Sequence, residues 1–252
     1  MLILGIESAT PVASVALVDE KGLLGEINLN LGLTHSEQLL PTIDSLLKQC
    51  RRTIKEVTAV AVSAGPGSFT GLRIGMATAK GLAQGGGLKL LAVPTLEAMA
   101  RQLMGLGYLV GPMQNARRNQ VYAGLYRWSA DSLFTFVQER RPGKKERSYA
   151  DNGVVPWQLE CLIQPAAWSV EEWAAQVEPF CWQTGRQAAF LGDGATAYQA
   201  DWQRLLDEQA VILPPVLSLP RASYVALAAQ ERLERGQSDR LFDAGLIYIR
   251  GI

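Results

Sequence analysis

Ala61-Val62-Ser63-Ala64-Gly65-Pro66-Gly67-Ser68-Phe69-Thr70-Gly71-Leu72-Arg73-Ile74-Gly75 joins two patterns within fifteen residues. Upstream, the apolar run from Val57 to Ala64 has the length and β-branched content of a strand buried on both faces. Downstream, Ser68 is suited to cap a helix, and Leu72, Met76, Ala79 and Ala83 recur at helical spacing until Gly85-Gly86-Gly87 ends the pattern. Gly65 and Gly67 around Pro66 permit a sharp turn and leave amides bare at a helix N-terminus. Such a turn either cradles a phosphate or simply joins strand to helix. Neither Gly-x-x-x-x-Gly-Lys-Ser/Thr nor Gly-x-Gly-x-x-Gly is present.

The same helix carries Gly71, Gly75, Ala79 and Ala83 four residues apart, a nearly bare face. Glycine inside a helix costs about 0.5 to 1 kcal/mol relative to alanine, so close approach of another backbone is the expected compensation. The stripe therefore reads as a docking surface, for the chain's own sheet or for another subunit. If another subunit docks there, Gly75→Leu abolishes pairing without unfolding the protein.

Working outward, Leu2 to Ile6, Val12 to Val18 and a stretch ending near Leu31 read as three antiparallel strands. Thr34 and Glu37 fit a capping box ahead of a helix whose apolar face is Leu39, Leu40, Ile43, Leu46 and Leu47. Pro41 either kinks that helix or begins it. After the central strand and helix come a strand at Leu88 to Val93 and a helix at Thr95 to Met104. The resulting order, βββαβαβα, matches the actin-like fold, with doubling of the unit expected. The expected class is α/β, with two actin-like (ribonuclease H-like) domains, each a mixed five-stranded sheet flanked by helices. The first domain spans 1–104 and the second 105–220, and a helix at about 221–236 packs back on the first.

In the second domain, two strands flank the basic turn Asn115-Ala116-Arg117-Arg118-Asn119, and Phe134 to Val137 extend the sheet. Residues 140–147 hold five cations in eight positions, a solvated loop or an RNA contact. Five of the six tryptophans lie between 157 and 202, as an aromatic core or a binding surface. Asp193, after the strand at Phe190, stands where α/β folds place ligand-facing groups. The tail from Leu241 reads as an edge strand or docked extension.

At 252 residues, 48% apolar and 19% charged, the chain has a globular composition. Lys plus Arg and Asp plus Glu number 24 each, so no global field draws in nucleic acid or an anionic membrane. The opening residues have neither a basic leader nor a long apolar core, which reads as cytoplasmic. Three widely spaced cysteines suit reduced thiols. With one histidine, His35, no His-His metal pair can form and any Ser-His-Asp or Cys-His arrangement depends on it alone. A solvent or interface role is the simpler reading of His35. Glu7 reads as a turn or capping acid, or else as a metal-coordinating one.

Four segments together resemble the TsaB (YeaZ) family: Ile6 to Thr10, Thr34 to Pro41, Ala64 to Gly75, and Pro94 to Ala98. Ala116-Arg117-Arg118, Gly192-Asp193-Gly194, Pro220-Arg221-Ala222 and Tyr248-Ile249-Arg250 resemble landmarks of its second half, although Asn115 stands where an aspartate is expected. The resemblance implies a non-catalytic scaffold or activator of tRNA N6-threonylcarbamoyladenosine modification at position 37, with no catalytic or metal residue of its own. It implies pairing with a TsaD-like catalytic subunit and a TsaE-like ATPase, a homodimer in isolation, tRNA contacted indirectly, and no membrane. TsaD-like enzymes carry a His-x-x-x-His metal pair where this chain has Thr95 and Met99. The implied partner interface is His35, Leu39, Ile43, Leu46, Phe69, Gly71, Leu72, Gly75 and Ala79, on helices 36–49 and 68–84. The expectation is no tightly bound cofactor, with ATP or ADP as the candidate nucleotide at the complex interface and Ser8, Thr10, Gly65 and Gly67 as its candidate weak phosphate contacts. The alternative is an actin-like ATPase or small-molecule kinase with Glu7 or Asp193 holding magnesium. A glycoprotease lacks its nucleophile or metal.

Overall fold

The computed structural model of the chain describes residues 1–32, 34–129, 157–241 and 243–249. The Phe134 to Val137 strand and the basic loop at 140–147 lie outside the described residues. Two five-stranded mixed sheets organise the rest. The first has the order β3-β2-β1-β4-β5, formed by β1 (Leu2–Glu7), β2 (Ala13–Asp19), β3 (Gly22–Leu29), β4 (Ala59–Ser63) and β5 (Lys89–Val93). The second has the order β10-β9-β6-β7-β8, formed by β6 (Leu109–Arg117), β7 (Gln120–Ser129), β8 (Gln158–Ser169), β9 (Ala188–Leu191) and β10 (Ala210–Ile212). In both, a three-stranded antiparallel meander adds two parallel strands to the side of its first strand. The doubled unit expected from the βββαβαβα order is thus present as strand order.

β1, β2 and β4 at the centre of the first sheet are buried on both faces, as their continuous apolar runs require, whereas β3 at its edge is partly exposed. Leu4 and Ile6 of β1 and Val60 and Val62 of β4 meet Leu39, Ile43 and Leu46 of α1 (His35–Gln49) and Met76, Ala79 and Ala83 of α2 (Phe69–Gly86). Ile3, Val18, Ala59, Ala61 and Leu91 meet the opposite layer, α8 (Ala222–Glu234). That helix has no capping side chain of its own. Its first amides are taken by Ser14 Oγ, 2.9 Å from Ala222 N, and Glu26 Oε1, 2.9 Å from Ser223 N. A carboxylate there also complements the helix dipole.

Local signals hold where they were read. The Thr34 amide donates to Glu37 Oε2 at 3.0 Å, Gly71 N donates to Ser68 Oγ at 3.3 Å, and α2 ends at Gly87 in the left-handed conformation. Pro41 lies inside α1, six residues after its start. The reading in which the helix began at Pro41 is therefore corrected. Capping at Thr34 sets the start, and the exposed proline removes one interior hydrogen bond, to the Glu37 carbonyl.

In the second half, α4 (Val170–Thr184) and α6 (Gln199–Leu206) cover one face of the sheet. Trp173, Phe190 and Trp202 form a buried aromatic chain with centroid spacings of 6.4 and 5.4 Å, and Tyr198 adds a further edge contact at 6.3 Å. Each such pair contributes about 0.5 to 1.5 kcal/mol beyond its area. The tryptophan cluster is mainly core, while Trp182 stands 72% exposed. The opposite face packs against α3 (Thr95–Ala100), whose Leu96, Met99 and Ala100 meet Val110, Tyr126 and Leu191, and Trp128 Nε1 donates to the Ala100 carbonyl at 3.0 Å. A short α5 (Asp193–Ala197) follows β9, and a one-turn α7 (Pro215–Ser218) follows β10.

Past α8 the tail is a docked extension. Asp239 bridges to Leu90 on the free edge of β5, its carboxylate accepts from Ala92 N at 2.7 Å and pairs with Arg232 at 2.7 Å, and Ile247 N donates to the Ala64 carbonyl at 2.7 Å. All three cysteines are free thiols, with burial pushing Cys161 and Cys181 up from the ordinary thiol range.

Candidate functional site: the α2 turn and the cleft between the sheets

Three chain segments converge on the Gly65-Pro66-Gly67 turn. Gly65 N donates to the Thr95 hydroxyl at 3.1 Å, the Gly65 carbonyl accepts from Thr95 N at 2.8 Å, and Ser68 N donates to the Ala9 carbonyl at 2.7 Å. Gly65 has φ 111°, a conformation only glycine adopts easily, and a side chain there would strike the Ile247 carbonyl oxygen at 2.6 Å. The Gly65 amide expected to face a phosphate is thus used inside the protein. Ser8 is fully buried as well, its amide 3.2 Å from Ser63 Oγ. Of the four residues read as phosphate contacts, Ser8 and Gly65 are closed off by the chain, whereas Thr10 and Gly67 line a cleft.

The bare stripe on α2 needs a larger correction. Gly71 lies against the Ser8 carbonyl oxygen and the His35 ring, and Gly75 lies against the Ser8 hydroxyl. Ala79 and Leu72 are buried beside them. The close backbone approach that the glycines announced is made by the chain's own β1 end. Leu39, Ile43 and Leu46 are likewise spent on the first core. Gly71, Leu72, Gly75, Ala79, Leu39, Ile43 and Leu46 therefore present no surface to a partner. Gly75→Leu strikes the fold itself, so the expectation that it would abolish pairing without unfolding is withdrawn. What α1 and α2 do expose is their other flank: Leu40 at 54%, Phe69 at 53%, Arg73 and Ala77. Leu40, read as part of the apolar face of α1, points the opposite way. Phe69 stacks on Tyr248 of the tail at 5.9 Å, with the Arg73 guanidinium 3.7 Å from its centroid.

His35 is not a solvent residue. Its Nε2 lies 2.8 Å from the Thr10 carbonyl, which can only accept, so Nε2 carries the proton and the ring pins the start of α1 to the β1–β2 turn. Glu7 is fully buried at the end of β1, one oxygen accepting from Ala9 N at 2.6 Å and the other without a partner. Burial raises its pKa from 4.5 to about 7, against opposing hydrogen bonds from Ala9, Ser63 and Ser8. A carboxyl in that state is a poor magnesium ligand. Among the described residues no three His, Cys, Asp or Glu side chains gather as a metal site.

A cleft of about 510 Å³ separates the two halves. Thr10, Gly67, Phe69 and Thr70 form one wall, and Gln114, Arg117 and Asp193 belong to the other. Asp193 Oδ1 accepts from Asn115 N at 2.9 Å, which ties the start of α5 to the β6–β7 hairpin. That hairpin turns through Arg117, Arg118 and Asn119, all at positive φ (66°, 50° and 60°). The sequence marked Asp193 and the basic turn but not Gln114, a buried amide inside an apolar strand.

A family model described as TsaD: tRNA N6-adenosine threonylcarbamoyltransferase matches residues 31–248. A protein of Bacillus subtilis described as tRNA threonylcarbamoyladenosine biosynthesis protein TsaB is 36% identical over 140 residues, covering 56% of this chain and 61% of that protein. The Escherichia coli protein of the same description is 38% identical over 104 residues, 40% of this chain and 43% of its own length. The chain thus spans about half the length of the curated relatives it matches. The crystal structure of YeaZ from Pseudomonas aeruginosa superposes with a TM-score of 0.73 at 23% identity over 98% of this chain and 99% of that one, a likeness of fold. With most of its length matched by the family model, the chain belongs to the TsaD family, and within it the chain is similar in sequence to proteins described as TsaB.

Proposed function

We propose that this protein is a non-catalytic scaffold of tRNA N6-threonylcarbamoyladenosine modification in the cytoplasm, pairing with a TsaD-like catalytic subunit and a TsaE-like ATPase and touching tRNA only through that complex. In isolation it pairs with itself, and its halves, 1–104 and 105–220, act as two actin-like domains. Family membership supports the pathway. The accessory role is supported by the start of α3: where the resemblance puts a metal pair in the catalytic relatives, Thr95 and Met99 are fully buried, and the Thr95 hydroxyl holds the Gly65 amide. Among the described residues no helix is long and apolar enough to cross a membrane.

The pairing surface in this reading is the exposed flank of α1 and α2, with Leu40, Phe69, Arg73 and Ala77, rather than the buried stripe. ATP or ADP then belongs to the boundary of the complex. Co-purification with the TsaD-like subunit tests the assignment; a TsaD-like protein that elutes alone in the presence of this chain would overturn it. The double variant Leu40→Asp, Ala77→Arg is expected to weaken pairing by about 2 to 4 kcal/mol, 30-fold or more, as loss of a central contact does. At a concentration low enough for the unaltered chain to be monomeric, the two unfolding midpoints should coincide, because both side chains are exposed on the isolated chain.

The ATPase or kinase reading loses Glu7, which sits in the first core, and keeps only Asp193 in the cleft. Titration of the isolated chain with magnesium and ATP separates the two: submicromolar binding with turnover would favour the enzyme.

A further inference from the structure

We propose that the outer edge of β3 pairs with β3 of a second copy of this chain, antiparallel and centred on Ile27, so that two first sheets join into one. The two sheets end in four outer strands, and three of them are closed to such pairing. On β5 the tail occupies the edge, with Asp239 N donating to the Leu90 carbonyl at 2.9 Å and Arg232 to the Ala92 carbonyl at 2.8 Å. β10 is only 3 residues long. β8 contains Pro165, which has no amide to donate, and Glu160, which is ion-paired with Arg127. Shortness, proline, charge and cover are the ordinary ways of blunting an edge.

β3 is not blunted in these ways. Its 8 residues include no Pro, Lys or Arg, and among the described residues its backbone bonds only to β2. The register against β2 shifts once, at Leu24, which leaves 25–29 a regular run with alternate amides and carbonyls turned outward. The one charge on the strand is already spent. The Glu26 side chain is 5% exposed, its Oε1 accepts from Ser223 N at 2.9 Å and its Oε2 lies 3.0 Å from Arg221 Nε, so a neighbouring strand would bury no unpaired charge.

The occupant follows from the pattern along the strand. Leu23 and Leu31 are equally far from Ile27 in the chain, and they are 54% and 63% exposed. Antiparallel pairing about Ile27 sets Ile27 against its own copy, Gly25 against Leu29, Glu26 against Asn28, and Leu23 level with Leu31 of the second copy. Exposed apolar surface then meets exposed apolar surface, and no charge meets its like. Such a self-match is what a two-fold contact requires. A ladder this short buries less than the about 800 Å² per partner of a standard interface, so the association is weak and shows only at high concentration. It uses none of the flank residues Leu40, Phe69, Arg73 and Ala77.

The test uses the whole chain carrying Leu40→Asp and Ala77→Arg, which disables that flank, in analytical ultracentrifugation from micromolar to millimolar concentration and in amide hydrogen exchange at both ends of the range. The expected result is a reversible dimer at the high end, with slower exchange across 25–29. Leu23→Lys should weaken this dimer at least tenfold, and adding Leu31→Glu to the same chain should restore it, because the register sets the two positions opposite each other. Both leucines are exposed, so unfolding midpoints at low concentration should not move. A chain that stays monomeric throughout, a dimer indifferent to Leu23→Lys, or no recovery with Leu31→Glu would overturn the proposal. So would protection of 25–29 that arises only when the TsaD-like subunit is added, which would give the edge to another protein's strand. Pairing with that subunit is decided separately, by co-purification.

Discussion

Alanine in place of Gly71 will lower the stability of the isolated chain by about 2 kcal/mol or more, although alanine is the better helix former. The gain in helix propensity is at most about 1 kcal/mol. Against it stands the new methyl group, which would overlap the Ser8 carbonyl oxygen and lie 2.8 Å from His35 Cδ2. The carbonyl belongs to the chain leaving β1 and cannot rotate away as a side chain would. Overpacking of this kind costs about 1 to 3 kcal/mol and sometimes more. Gly75→Leu should be worse, since it drives a four-carbon side chain against the Ser8 hydroxyl and Val62. Urea unfolding followed by circular dichroism, with size-exclusion chromatography alongside, checks both. A Gly75→Leu protein as stable as the original yet unable to pair would show that the stripe serves a partner after all.

The second large effect is one of pH. Glu7 titrates near 7 in the folded protein, because burial penalises its charge, and near 4.5 when unfolded. The fold therefore prefers the protonated acid. The contribution is fully present below about pH 4.5, is lost as pH rises towards 7, and amounts to about 3 kcal/mol over that window. Glu7→Gln removes the penalty while keeping an acceptor for the Ala9 amide. The variant is expected to gain stability relative to the original between pH 4.5 and 7 and to hold a constant advantage above. Parallel urea titrations across pH 4 to 8 measure it; a difference that does not change with pH would mean that Glu7 is solvated.

Local chemistry made the elements legible. Thr34 with Glu37, Ser68 and Gly87 mark helix ends within a few residues of themselves, and strict apolar runs mark β1, β2, β4 and β5. The direction of the α2 stripe was not legible, because glycines four residues apart announce a close backbone without saying whose. The outer flank of the same helix, with Ala77 and Gly81, is also small-sided, so a helical wheel offers no way to tell inside from outside. His35 was misread for a similar reason, since its partner is a backbone carbonyl 25 residues away. The cap of α8 was equally hidden, as Ser14 and Glu26 reach it from the other end of the chain. In the cleft, Asp193 and the basic turn were marked by their neighbours, but Gln114 becomes conspicuous only once its burial is known.

The dependence of the first sheet on α8 sets a timetable for synthesis. Ile3, Val18, Ala59, Ala61 and Leu91 wait for a covering layer that the ribosome delivers about 200 residues after β2 is complete. Counted from the end of β5, when that face is complete, about 130 residues remain to α8, and at about 5 to 20 residues per second the nascent apolar surface stands bare for roughly 6 to 26 s. Newborn chains, more than finished ones, are thus where chaperones should be found engaged, and release from them should coincide with the emergence of residues 222–234.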